Sequence, residues 1–161
     1  MSTRQKGFSL IELLIVVAII LIIAAIAIPN LLRSRMAANE ASAVAAVRTV
    51  NTSEIVYQST YGGSYAPSLL ALSDGGALAN CAPGTTPVAT SACLLDNALA
   101  GGTKAGYLFT YLPVAVGPLN TSYTLNADPI SATGQRHFFT DETNVIRVNP
   151  AAPASAGDPA I

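Results

Sequence analysis

One acid stands where an acid is costly. Glu12 lies inside the apolar run FSLIELLIVVAIILIIAAIAI, Phe8 to Ile28. A helix of about 20 apolar residues crosses the hydrocarbon core of a bilayer. A carboxylate buried in such a helix costs about 3 kcal/mol at the centre and less near the headgroups. Two readings fit Glu12. It lies near the start of the run, so its side chain can snorkel to nearby headgroups. Alternatively, it answers a cation inside an apolar assembly. A cut before Phe8 would create that cation as a new α-amino group. Phe8 and Glu12 are spaced i, i+4, on one helix face. A pair between neighbouring chains would serve as well. It would also set the axial register of packed helices, because a charge left unpaired in an apolar interior is penalised.

The remaining candidates for chemistry are few. Cys81 and Cys93 enclose APGTTPVATSA. If the chain is exported, a disulfide there closes a loop worth about 3 kcal/mol. As a metal site, two thiols and the distant His137 fall short of a closed ligand set. His137 adjoins Phe138 and Phe139 and reads as a structural or surface histidine. Asp128-Pro129 reads as a turn. Asp141, in the DETN turn, is a candidate calcium ligand, but the turn lacks the alternating oxygen ladder of a calcium loop. Gly101, Gly102 and Gly106 form a turn, with no strand–helix frame for a nucleotide. No HExxH, phosphate loop or Ser-His-Asp spacing occurs. The sequence therefore points to no enzyme, no cofactor and no resident metal.

Composition narrows the class further. Of 161 residues, 51% are hydrophobic and 11% charged, and much of the apolar weight lies in the first fifth. The rest is rich in Ala, Thr, Ser, Asn, Gly and Pro, which suits a small periplasmic or extracellular domain. Net charge is −1. Without Arg4 and Lys6 the chain carries six basic and nine acidic residues, a net −3. No basic surplus is available to hold nucleic acid.

The elements that must position Glu12 begin with a short basic leader, MSTRQKG. The run behind it is predicted to be helical, because a single span in lipid satisfies its backbone only that way. A cleaved secretory signal is the rival reading. It would have a shorter apolar core and a small-residue cleavage site, whereas this run continues into further helix-forming sequence. Basic residues flank both ends, so they do not vote on orientation. The paired cysteines favour placing the bulk of the chain outside the cytosol.

The stretch KGFSLIELLIVVAIILIIAAIAIPNLLRSR, Lys6 to Arg35, closely resembles the class III signal of type IV pilins and type II secretion pseudopilins. The resemblance rests on the basic leader ending in Gly7, on Phe8, Glu12 and the unbroken apolar run, and on Pro29. It implies that a prepilin peptidase cuts between Gly7 and Phe8 and methylates the new amine. It implies that Glu12 pairs with the amine of an adjacent subunit during assembly. It makes Pro29 the point of helix disruption; physically, proline removes one N–H and clashes with the carbonyl of Ala25.

Residues 30–61 stay helical in pattern and become amphipathic. Leu31, Leu32, Met36, Ala41, Val44, Ala45, Val47 and Val56 supply apolar positions, with Arg33, Arg35, Glu40, Arg48 and Glu54 interspersed. Gly62-Gly63 ends the helix. Short helical turns are predicted at 65–72 and 94–99. Strands are predicted at 107–114, 122–127, 137–140 and 145–148. Residues 149–161 are Pro/Ala-rich and expected to form a flexible tail. The segment 106–148 more loosely resembles the C-terminal sheet of some pilins and major pseudopilins.

The expected fold is α+β, a pilin fold: a long N-terminal helix with a small antiparallel sheet on its C-terminal half. Its parts are a leader (1–7), an assembly helix (8–29), an amphipathic helix (30–61), a head with a Cys loop (62–148) and the tail (149–161). The resemblance implies a major pilin, polymerised into a helical homopolymer for adhesion, motility or uptake. The chain would sit in the inner membrane before joining an extracellular pilus. It would depend on prepilin peptidase, a membrane assembly platform and a cytoplasmic ATPase. The alternative is a type II secretion pseudopilin in a periplasmic filament. The cysteine pair and the longer insert tilt the reading toward a surface pilus.

Overall fold

The computed structural model describes residues 7–161 except residue 77. Arg4 and Lys6 lie outside the described residues. The chain divides into two compact units, Met1–Arg35 and Met36–Ile161. One helix, α1 (Leu10–Thr60), contributes to both. It stays helical through Pro29, so the disruption expected there is not seen. In the first unit, none of the most apolar 18-residue window of α1 is buried. That fits a segment whose solvent is lipid or other helices.

The second unit holds α2 (Leu69–Leu72), α3 (Asn97–Ala100) and a five-stranded antiparallel sheet. The strands are β1 (Thr103–Lys104), β2 (Tyr107–Val116), β3 (Leu119–Pro129), β4 (His137–Asp141) and β5 (Arg147–Asn149), in sequential order across the sheet. Alternation drives β2 and β3. Tyr107, Phe109, Tyr123, Leu125 and Ala127 point to the core, while Leu108, Thr110 and Leu112 face out. Inward residues of β2 and β3 meet α1 in one core that includes Ala43, Val47, Val50 and Tyr57. Helix on sheet is a standard way for each element to bury its apolar face.

The structure departs from the sequence reading in several places. Asp128-Pro129 is not a turn; both residues end β3, opposite Leu108 and Tyr107. Pairing with β2 holds them extended, and proline is tolerated at a strand terminus. The tail, expected to hang free, is bonded back to the sheet. Val148 donates its amide to the Pro159 carbonyl, Ile161 donates to Ile146, and Arg147 bridges Ala160. Asp158 accepts bonds from Ser155 and Asn149, and Ala154 is buried. Asn126, opposite Phe139 in the sheet, donates to the Ala154 carbonyl at 2.8 Å. The tail's few polar residues thus supply the anchors that its Pro/Ala composition hides.

The stripe on α1 also differs. The buried positions are Glu40, Ala43, Ala46, Val47, Val50, Asn51, Ser53, Glu54 and Tyr57. Val56, Ala41 and Ala45 face out. Counting only apolar residues misplaces this face, because four of its members are polar and hydrogen-bonded.

Cys81 and Cys93 form a disulfide across a sequence separation of 12. The Cys loop is also tied to α1, where the Tyr57 hydroxyl donates to the Ala89 carbonyl at 2.8 Å. Replacing both cysteines by serine is expected to cost about 3 kcal/mol, the loop-closure value for this size. Urea unfolding of the full chain in detergent micelles measures it; an unchanged midpoint would show that Tyr57 and its neighbours hold the loop unaided.

Candidate assembly site at the helix N-terminus

Gly7 and Phe8 lead into α1 as non-helical backbone, with Ser9 at the cap position. Phe8 is 78% exposed. Among the described residues, a Cβ added at Gly7 would meet nothing within 4 Å. The described residues therefore place no steric demand for glycine at this position.

Ser9 and Glu12 form the spacing of a capping box, S-x-x-E. The Ser9 amide donates to Glu12 Oε2 at 3.0 Å. The Leu13 amide donates to the Ser9 carbonyl at 3.3 Å. Glu12 therefore satisfies one of the amides that a helix start leaves unpaired. The helix dipole also favours a negative charge at this end. The apolar run hides this local role, although S-x-x-E is plain in the sequence. Glu12 is exposed, and among the described residues its other oxygen accepts no hydrogen bond. The carboxylate can thus hold its own helix start and still meet a further donor.

The other residues singled out from sequence lie apart from this site. Asp141 accepts bonds from the Thr143 amide and hydroxyl, which makes it the cap of the β4–β5 turn. Among the described residues, no three His, Cys, Asp or Glu side chains gather as metal ligands would. His137 Nδ1 lies 2.6 Å from Asp128 Oδ1, a cross-strand pair on the sheet.

Two acids of α1, Glu40 and Glu54, are buried. Glu40 accepts from the Gln135 and Arg136 amides at 3.0 and 3.4 Å and from Arg136 Nε at 2.6 Å. Burial alone would raise its carboxyl. The Gln135 amide and the Arg136 guanidinium outweigh burial and hold it below the ordinary carboxylate value. With Asn39, which donates to the Thr133 carbonyl at 2.9 Å, Glu40 fastens the β3–β4 connection to α1. That connection passes close over Tyr107: a Cβ at Gly134 would overlap the Tyr107 hydroxyl. Burial, and then the charge of Glu40, push the Tyr107 phenol up to about 12. Glu54 is fully buried. No sequence signal marked either acid, because their partners lie 12 to 96 residues away.

Residues 2–28 match the family model described as the prokaryotic N-terminal methylation motif. The chain is also similar to the type IV wide pilus major component PilA4 of Thermus thermophilus, with 49% identity over 55 residues. That stretch covers 34% of this chain and 42% of the relative, so the chain spans less than half the length of the curated protein it matches. No solved structure gave a significant match. With a single long helix and an antiparallel sheet behind it, the chain carries the prokaryotic N-terminal methylation motif and is similar, over those 55 residues, to a type IV pilin.

Proposed function

We propose that the chain is the major subunit of a type IV pilus, processed between Gly7 and Phe8 and assembled through the first part of α1. The observation that carries this reading is Glu12: an exposed acid at the start of a helix whose apolar side chains are also exposed. The named role of the Thermus relative, a major pilus component, supports the same assignment. Assembly moves apolar helices from lipid into contact with one another. Apolar burial from water is worth about 25 cal/mol per Å². Lipid is already apolar, so close packing and polar pairs decide association and register instead. In this reading the methylated amine of Phe8 in one subunit meets Glu12 of the next. Pro29 supplies a weak point in α1, because Ala25 loses a backbone donor there. Processing calls for a prepilin peptidase. Extension calls for a membrane platform and a cytoplasmic ATPase, since the chain's own residues supply no motor.

Shearing the cell surface tests the proposal. The chain is expected as the dominant protein of long filaments, starting at Phe8 and carrying one added methyl by mass. Met1 retained in filaments would overturn the processing step. Confinement of the chain to short periplasmic filaments would instead assign it to type II secretion.

A further inference from the structure

Glu54 is a buried acid that the assembly reading does not use. It sits on α1 in the second unit, with none of its side chain exposed. Its carboxyl reaches two other segments. Oε2 accepts from the Ala66 amide at 3.0 Å, just past the helix. Oε1 lies 2.7 Å from the Tyr111 hydroxyl, on β2. The same hydroxyl lies 2.8 Å from the Ala66 carbonyl.

A phenol has one proton to give and can also accept. Here it faces two oxygens at bonding distance. If Glu54 were ionised, the phenol could donate fully to only one of them, leaving two lone-pair-bearing oxygens in close contact without a proton between them. If Glu54 is protonated, every group is satisfied. The acid donates to Tyr111, Tyr111 donates to the Ala66 carbonyl, and the Ala66 amide donates back to the acid. The ring of bonds then closes with no surplus acceptor. An unsatisfied buried polar group costs about 1–3 kcal/mol, so the closed ring is the favoured arrangement.

The surroundings agree. The titratable groups around Glu54 are Tyr57 on its own helix, Tyr65 beyond the helix, and Tyr111 and Tyr123 in the sheet. Asp141 and Glu142 of the β4–β5 turn add negative charge near Tyr123. All of these become negative when they ionise. Among the described residues, no basic side chain forms an ion pair with Glu54. Burial raises its carboxyl above the ordinary value, against the smaller lowering from Tyr111 and Ala66. The Tyr111 ring is stacked on Tyr123, with centroids 5.6 Å apart, which fixes the hydroxyl in place.

We propose that Glu54 is held as the neutral acid in the folded head and acts as a proton latch, donating to Tyr111 and thereby tying α1 to β2 and to the segment after the helix. This latch stands whether the chain builds a pilus or a pseudopilus. A neutral folded acid and an ionised unfolded one differ by one proton. The latch's contribution is therefore full below the ordinary carboxylate range. It is lost as pH rises toward the value at which the folded acid ionises. Over that window, one proton changes the unfolding constant tenfold per pH unit.

Two measurements on the full-length chain in micelles test the latch. The first is infrared spectroscopy at neutral pH with labelled glutamate. It is run in the Glu12→Gln chain, so that the helix-start acid cannot contribute. A protonated carboxylic C=O band is expected; carboxylate bands alone would overturn the proposal. The second compares urea unfolding of the wild type and Glu54→Gln between pH 5.5 and 8.5. Glutamine reproduces the neutral acid: its carbonyl accepts from Ala66 and its amide donates to Tyr111. The ratio of the two unfolding constants is expected to shift with pH by up to tenfold per unit, with Glu54→Gln gaining on the wild type as pH rises. A ratio that stays constant, with Glu54→Gln weaker throughout, would show that the acid is ionised. If Glu54→Gln fails to fold, that too counts against the latch, since the variant carries every donor and acceptor the latch requires.

Discussion

Glu12→Ala should leave the chain inserted in the membrane and lower filament yield by about a hundredfold. The magnitude comes from the pair that the proposed assembly requires. Breaking a buried ion pair costs about 3–5 kcal/mol, because the partner charge is left unanswered. Each 1.4 kcal/mol is a factor of ten, so a hundredfold loss is a conservative reading. The Ser9–Glu12 cap complicates the experiment. Losing a helix cap alone costs about 1 kcal/mol, enough for roughly a fivefold effect. Glu12→Gln separates the two roles. Glutamine keeps the bond from the Ser9 amide, as capping boxes accept Gln at this position, but it brings no charge. If the charge pairs with a neighbouring amine, Glu12→Gln assembles nearly as poorly as Glu12→Ala. If capping is the whole role, Glu12→Gln assembles almost normally. Membrane fractionation and counts of sheared filaments read both outcomes, and near-normal filament yield from Glu12→Ala would end the pairing role.

How much of this was legible depends on the range of each signal. The apolar helix and its acid were plain, because membrane length and a misplaced charge are local patterns. Strands β2 to β5 were legible for the same reason: Tyr107, Phe109 and Tyr111 alternate with outward residues over one segment. The cysteine pairing followed from a short interval with only one possible partner. The errors fall where the deciding partner is distant. Glu40 and Glu54 are charges interspersed in a helical pattern until Arg136, from the β3–β4 connection, and Tyr111, from β2, come alongside. Asp128-Pro129 looks like a turn until Leu108 and Tyr107 hold it extended. The tail looks flexible until Asn126 and Asn149 give its backbone and Asp158 somewhere to bind. β1 went unseen because two residues carry no period, and its existence rests on pairing with Tyr107 and Leu108. At the start of α1, the charge of Glu12 dominates the apolar run and hides its bond from the Ser9 amide. The larger anomaly masked an ordinary motif in the same four residues.

The strongest effect on the head is expected from Phe138→Ala. Phe138 lies on β4 with none of its side chain exposed. It belongs to the core that holds Ala43, Val47, Leu125 and Tyr123, and its ring centroid is 5.9 Å from that of Tyr107. The Arg136 guanidinium lies 5.7 Å from the ring centroid, so the change also removes a cation–π contact. Truncating a buried phenylalanine costs about 3–5 kcal/mol, part transfer and part cavity. The site cannot collapse easily. Tyr107 is fixed by its hydroxyl bond to the Arg136 carbonyl at 3.0 Å, and the Glu40 clamp holds that same connection to α1. The cost should therefore fall in the upper part of the range, a large fraction of the 5–15 kcal/mol that keeps a typical domain folded. Leu108→Ala, on the outward face of β2, is the matched control and should shift stability by about 0.5 kcal/mol or less. Urea unfolding followed by tyrosine signals measures both variants, and a loss under about 1 kcal/mol for Phe138→Ala would remove β4 from the core. Insertion of residues 8–28 draws on none of these contacts. Phe138→Ala should accordingly reach the membrane in normal amounts, yet expose its head to protease and fail to accumulate in filaments, which separates the head's contribution to the polymer from that of the helix.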